Sequence, residues 1–144
     1  MMAGALAILA LSATVVLAGL NEDLLEAAYY GDLSEVKRLL AAGAEVNAKD
    51  KNHMTPLMAA SLRGNREVVK VLLARGAEID TPTTDGQTAL MYAAIKGDPE
   101  VVGLLLARGA RVNSRDKNGK TALIFATLLK HPEVRALLLE AEAK

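Results

Sequence analysis

The chain contains no cysteine and no tryptophan, and its 144 residues include a single phenylalanine. Without cysteine it has no disulfide framework, no thiolate metal ligand and no cysteine nucleophile. Its hydrophobic fraction of 51% comes largely from Ala, Leu and Val, a composition that favours closely packed helices over a β-sandwich. The length suits one compact domain or a short row of repeats.

An excess of charge of either sign is also missing. Lys plus Arg is 17 and Asp plus Glu is 17, so the formal net charge is zero. This balance counts against a nucleic-acid-binding protein that depends on bulk positive charge. None of these charges lies in residues 1–20, which as a helix would extend about 30 Å, the thickness of a bilayer core.

Three interpretations of this uncharged leader compete. It is a secretory signal peptide cleaved after Ala18, with Val16 and Ala18 at the −3 and −1 positions, although no Lys or Arg precedes the apolar run. Alternatively it is an uncleaved anchor, and the acidic Glu22 and Asp23 just after it are compatible with translocation. The third interpretation is a helix packed on the folded domain, or a start codon assigned too far upstream.

From residue 21 onward the chain repeats every 33 residues, the signature of a stacked array. Several independent columns stay in register: Gly31, Gly64 and Gly97; Gly43, Gly76 and Gly109; Thr55, Thr88 and Thr121; Leu24, Leu57, Leu90 and Leu123. The units lie at about 21–49, 50–82, 83–115 and 116–144.

Each unit is predicted to form a helix, a turn, a second helix and a loop. Thr55 caps the first helix, with Pro56 at its first position, and Gly64 ends it in the left-handed conformation. The polar side chains that start the second helix are predicted to cap it: Asp32, Asn65, Asp98 and His131. A turn over residues 116–119 is predicted to join units by a hairpin-like loop.

The segments TPLMAA at 55–60, RGAEID at 75–80 and RGARVN at 108–113 resemble the ankyrin-repeat family. The resemblance covers about 21–144. It implies an all-α solenoid of four stacked helix-turn-helix units joined by hairpin-like loops, preceded here by a hydrophobic N-terminal helix. It also implies a concave binding surface lined by the first helices and the hairpin tips.

The sequence departs from the family pattern at a few positions. The family's histidine is replaced by Met58, Met91 and Ile124. His53 stands at the turn glycine seen as Gly86 and Gly119, and Lys130 replaces the glycine between the two helices. We expect the fold to survive these changes at some local cost.

The end units carry polar residues where inner units are apolar. Glu26, Glu35 and Arg38 do so in the first unit, and Arg135 in the last, as terminal repeats require. A leader packed permanently on the first unit would not suit such a face, so export is favoured. An array behind a hydrophobic leader resembles small exported bacterial ankyrin proteins, which predicts a periplasmic or cell-envelope location, exported or N-terminally anchored. A cytoplasmic location is the alternative.

No pattern in the sequence indicates an enzyme, a metal site or a cofactor. His53 and His131 are more than two units apart, too far for a shared metal site. Met58 and Met91 share a helical column with Ile124, which indicates core packing rather than a metal ligand. The glycines follow the repeat spacing instead of forming a phosphate loop.

The predicted binding residues lie at the ends of the first helices and on the hairpin tips, where the resemblance places the concave face. They are Tyr29, Tyr30, Leu62, Arg63, Ile95, Lys96 and Leu128 on the helices, with Lys51, Met54, Gln87, Lys117 and Lys120 on the hairpins. This apolar row with a basic border predicts a non-enzymatic module that binds a protein with an acidic surface around an apolar anchor. The alternative is nucleic-acid or polyanion binding through the basic tips, against which the zero net charge and few aromatics count. Membrane contact is predicted only for the N-terminal segment.

The leader generates the first testable prediction. If it is a signal peptide, the mature chain begins near Gly19, and mass spectrometry of protein from the native host should find that N-terminus. Intact Met1 in a soluble cytosolic fraction would contradict export.

Overall fold

The computed structural model describes the backbone of residues 2–144 and the side chains of residues 12–144, so the side chains of residues 1–11 of the predicted leader lie outside the described part. Eight helices account for the described chain: α1 (Met2–Tyr30), α2 (Leu33–Ala41), α3 (Pro56–Arg63), α4 (Arg66–Ala74), α5 (Ala89–Lys96), α6 (Pro99–Ala107), α7 (Ala122–Leu128) and α8 (Pro132–Glu142).

The helices form two parallel layers. The inner layer is α1, α3, α5 and α7, and the outer layer is α2, α4, α6 and α8; each helix contacts its neighbour in the same layer and its partner in the same unit. The core runs continuously between the layers, where Leu24, Leu57 and Leu90 are at most 2% exposed. This confirms the predicted solenoid of four helix-turn-helix units.

Threonine hydroxyls cap the N-termini of three of the inner helices, as predicted. The Oγ1 atoms of Thr55 and Thr88 accept hydrogen bonds from the backbone N–H groups of Met58 and Met91, at 3.3 and 3.4 Å. Thr121 does the same for α7. Because these bonds satisfy N–H groups that lack an intrahelical partner, each of these three helices starts at a defined residue.

The residues that start the outer helices fall into two groups with different roles. Asp32 and Asp98 cap their own helices, since a carboxylate only accepts hydrogen bonds. The predicted cap at Asn65 is wrong: its Nδ2 instead donates to the carbonyl oxygens of Ala28 and Tyr29, at 2.8 and 3.0 Å. An amide group can donate as well as accept, so Asn65 ties the second unit to the first.

His131 repeats the behaviour of Asn65 two units further along the array. It makes no side-chain cap bond, so the predicted cap is again wrong. Its Nε2 lies 3.0 Å from the carbonyl oxygen of Ile95. Since a carbonyl oxygen only accepts hydrogen bonds, Nε2 carries the proton and donates the hydrogen bond. The side chain therefore links the fourth unit to the third.

These links bring the starting residue of an outer helix against the glycine that ends the preceding unit's inner helix. A Cβ on Gly31 would lie 2.8 Å from Asn65 Cγ, and one on Gly97 would lie 2.6 Å from His131 Cγ. Both glycines also have positive φ angles, 74° and 77°. Glycine is therefore required at each of these positions for two reasons: it adopts the left-handed conformation readily, and it has no side chain to collide with its neighbour.

Lys130 stands in the same column with a φ of 59°, but its side chain is exposed and no following unit packs against it in the described chain. Only the conformational requirement applies there. This explains why the fourth unit tolerates a lysine where the first three have glycine.

The hairpin-like loops form as predicted, and they stack through backbone hydrogen bonds. The N–H of Thr84 donates to the carbonyl oxygen of Asn52 at 3.0 Å, and the N–H of Lys117 donates to that of Asp85 at 2.9 Å. His53 takes the left-handed conformation of the turn glycines, with a φ of 62°. The loops thus add one inter-unit bond at each of these two junctions.

From residue 12 onward the leader continues into the first inner helix without a break, because α1 runs as a single helix to Tyr30. Leu20 packs against the core, and Asn21 Oδ1 accepts a hydrogen bond from the N–H of Glu45 at 2.8 Å. Before this point Val15 and Val16 are 68% and 60% exposed. In the described part of the chain, no helix is both long and apolar enough to span a bilayer.

We expect His53→Gly and Lys130→Gly each to stabilise the protein. A left-handed residue with a Cβ costs about 1–2 kcal/mol, and the added freedom of glycine in the unfolded chain offsets part of this gain. The net increase in the free energy of unfolding should be up to about 1 kcal/mol. Urea denaturation measures it, with His53→Ala and Lys130→Ala as controls that keep the strain. A lower melting temperature for the glycine variants would show contacts of these side chains that stabilise the fold.

Gly97→Ala should have the opposite effect. It adds left-handed strain and a collision with His131, so we expect a loss of about 2–3 kcal/mol in the free energy of unfolding. Gly109→Ala is the matched control, because Gly109 has a φ of 85° and nothing within 4 Å of its Cβ position. In a His131→Ala background the cost at Gly97 should fall to that of the control. An unchanged cost would mean that the contact with His131 is not the constraint.

Candidate protein-binding surface

The C-terminal ends of the inner helices present two adjacent rows of side chains. The first, called here the half-buried row, contains Tyr29, Leu62, Ile95 and Leu128. Its two central members are partly buried and pack against the core, whereas Tyr29 and Leu128 at the ends are 37% and 60% exposed. The apolar surface offered by this row is therefore concentrated at the two ends of the array.

The second row, called here the exposed row, contains Tyr30, Arg63, Lys96 and Leu129. All four side chains are exposed, Tyr30 to 70% and Leu129 to 47%. Each one directly precedes the residue with a positive φ angle between the two helices of its unit. These residues, called here the left-handed column, are Gly31, Gly64, Gly97 and Lys130. A partner lying across the units would meet an aromatic ring, two cations and a leucine in that order.

The aromatic end of the exposed row is a small cluster. The rings of Tyr29 and Tyr30 pack edge to face with centroids 5.2 Å apart. Arg63 Cζ lies 4.8 Å from the centroid of the Tyr29 ring, a cation–π distance. The guanidinium group of Arg63, in the second unit, thus packs against the first unit.

Lys96 leans in the same direction. Its Cγ and Cε lie 3.4 and 3.3 Å from the position that a Cβ on Gly64 would occupy. The side chain of the third unit therefore crosses the helix end of the second unit. Because Arg63 and Lys96 are displaced alike, their charges keep a separation of one unit.

Neither of these two cations forms an ion pair with a carboxylate among residues 12–144, a property they share with other exposed cations such as Lys37 and Arg75. On the outer helices, Arg66 pairs with Asp98 at 3.1 Å and with Glu100 at 2.6 Å. Arg63 and Lys96 lie in the last turns of α3 and α5, where a helix dipole favours positive charge.

The hairpin tips are less basic than the sequence suggested. Lys117 Nζ lies 2.6 Å from Asp85 Oδ1 of the neighbouring loop, and this hydrogen bond with its charge raises the pKa of Lys117. The signal for this pair in the sequence is an aspartate 32 residues before the lysine, one short of the repeat period. The acid that neutralises this tip was not identified from the repeat columns.

The other predicted hairpin residues do not form one cluster. Lys51 is exposed, Gln87 is partly buried, and Met54 packs against the core. Lys120 Nζ lies 5.8 Å from the centroid of the Phe125 ring in its own unit. The hairpin tips therefore supply scattered contacts, whereas the helix ends supply an ordered row.

Within residues 12–144, no three His, Asp or Glu side chains are arranged to hold a metal ion. The hydroxyl of Ser61 is fully buried. It has no hydrogen-bond partner among the described residues, and a buried hydroxyl of this kind is not reachable by a substrate.

A family model described as ankyrin repeats (3 copies) matches residues 24–116 and again 78–144. The chain belongs to the ankyrin-repeat family. Ankyrin repeats are in general non-catalytic protein–protein interaction modules, which agrees with an exposed row on the face of the stack. A search of the curated proteins found no match to this ankyrin chain.

Central and terminal members of the half-buried row of this ankyrin array should differ in their effect on stability. Ile95→Ala removes part of a half-buried side chain, so we expect a loss of about 1–2 kcal/mol in the free energy of unfolding. Leu128→Ala, at an exposed position, should change it by less than about 0.5 kcal/mol. Thermal and urea melts of both variants make the comparison. Equal losses would mean that Leu128 is also held by the core.

Proposed function

We propose that this ankyrin array binds an acidic protein partner on its concave face, through the exposed row. The observation that carries the proposal is the pair of cations without an anionic partner, Arg63 and Lys96, between an aromatic end and a leucine end. Opposite charge on a partner would satisfy both cations at once and would speed the encounter.

The apolar contribution comes from the two ends of the row. Tyr29 and Tyr30 form an exposed aromatic pair at one end, and Leu128 and Leu129 are exposed at the other. Interfaces take most of their binding energy from a few side chains, among which tyrosine and arginine are enriched. One apolar side chain of the partner at either end would be the anchor for the charged contacts.

Nucleic-acid or polyanion binding through the hairpin tips is the second candidate, and it has less support. The net charge is zero, and Lys117 is already engaged by Asp85. Phosphate binding would give an affinity that falls steeply with salt. A salt titration against single-stranded DNA and against an acidic peptide therefore separates the two functions.

We also propose that the array acts outside the cytoplasm, in the periplasm or cell envelope. The contacts of α1 with the array begin at Leu20 and Asn21. Just before them, Val15 and Val16 are uncharged and exposed, which is compatible with cleavage after Ala18 or with a tether. The N-terminus of the native protein decides between these forms.

Site-specific photo-cross-linking tests the binding face. A photoreactive residue at Tyr30 or Lys96 should capture the partner in the native host, whereas one at Lys37 or Arg75, exposed on or next to the outer helices, should not. Capture only from Lys37 or Arg75 would move the binding site to the convex face and contradict the proposal.

Charge reversal provides an independent test. Arg63→Glu combined with Lys96→Glu should weaken partner binding about 10-fold to 100-fold, the effect of losing two charge contacts worth 1–3 kcal/mol together. The matched control is Lys37→Glu with Arg75→Glu, which changes the net charge equally on the other face. Equal losses in both would indicate a general charge effect rather than a site.

A further inference from the structure

The exposed row has a fixed spacing because it belongs to the stack. It contributes one side chain per unit, from Tyr30 to Leu129, and adjacent inner helices pack about 8–10 Å apart. Hydrogen bonds across Gly31 and Gly97 tie the first unit to the second and the third to the fourth, and α3 packs against α5 between them. A partner segment that follows the row must therefore present a side chain every 8–10 Å.

Backbone geometry limits which segments can do this. In an extended strand, residues three apart are about 10 Å apart but point to opposite faces. A polyproline II helix has three residues per turn and rises 3.1 Å per residue, so every third side chain lies on one face about 9 Å from the next. This conformation matches both the spacing and the direction that the row demands.

The chemistry of the exposed row determines the order of side chains in a complementary partner segment. Arg63 and Lys96 are neighbouring cations in this row, neither has an ion pair among the described residues, and Tyr30 and Leu129 flank them. Charge complementarity assigns two carboxylates to the centre of the segment and apolar side chains to its ends.

We propose that the exposed row recognises a ten-residue polyproline II segment of an acidic protein with the pattern apolar-x-x-acidic-x-x-acidic-x-x-apolar. The inference rests on the proposed concave-face function and adds the conformation and spacing of the ligand. Nine steps of 3.1 Å span about 28 Å, which equals three steps of about 8–10 Å between helices.

Arg63 and Lys96 would bind the two carboxylates in different ways. The guanidinium group of Arg63 rests on the Tyr29 ring, which fixes its plane and presents its N–H edge to a carboxylate as a fork. Lys96 carries a point charge on a flexible stem. Replacing Arg63 by lysine should therefore weaken binding, while Lys96→Arg should be tolerated.

Two synthetic peptides of identical composition test the spacing. Fluorescein-labelled LPAEPAEPAL places its carboxylates three residues apart, and LPAEPEAPAL places them two residues apart. We expect the full-length protein to bind the first at least tenfold tighter in an anisotropy titration at low ionic strength. Equal affinities, or no binding of either peptide at millimolar concentration, would overturn the inference. Tighter binding of an α-helical peptide with carboxylates seven residues apart would overturn the polyproline II assignment.

Charge exchange tests which residues read the carboxylates. Arg63→Glu with Lys96→Glu should lose at least tenfold in affinity for LPAEPAEPAL and gain affinity for LPAKPAKPAL, a reversal that a misfolded variant would not show. The control Lys37→Glu with Arg75→Glu should keep the wild-type preference, and loss of that preference would place recognition elsewhere.

The concave-face function and the spacing of the ligand can be contradicted separately. Partner cross-links from Tyr30 and Lys96 together with equal peptide affinities would preserve the concave-face function and overturn the spacing. Selective peptide binding without such cross-links would leave the spacing intact and contradict the function.

Discussion

The close contact between the end of one unit's inner helix and the start of the next unit's outer helix is the constraint on which the array depends. Asn65 and His131 donate hydrogen bonds into carbonyl groups at these helix ends, and they do so across glycines that have no Cβ. Each contact joins only neighbouring units, so the stability of the stack is a sum of local interfaces.

The same contact governs the candidate binding surface. Every member of the exposed row precedes a residue of the left-handed column, so the position of the row follows from helix ends that are already fixed by stacking. Arg63 and Lys96 then extend over the preceding unit. Side chains placed in this way have a spacing that is set by the stack, and under the proposed function this spacing would contribute to selectivity as much as their identity does.

Much of the fold was predictable because a repeated residue type has a repeated local role, as with the capping hydroxyl of Thr55 or the glycine that ends α3. Asn65 and His131 were misassigned because their partners are carbonyl groups of the preceding unit, which no local pattern identifies. The half-burial of Leu62 and Ile95 depends on how neighbouring helix ends pack. The pairing of Lys117 with Asp85 was missed because it joins adjacent loops out of register with the repeat.

Lys130 has a consequence for lengthening the array. A further unit stacked on the fourth would bring the first residue of its outer helix to the place that Asn65 and His131 occupy against Gly31 and Gly97. The Cβ of Lys130 already fills that space. A designed fifth unit that used the same contact would therefore have to be added together with a glycine at position 130.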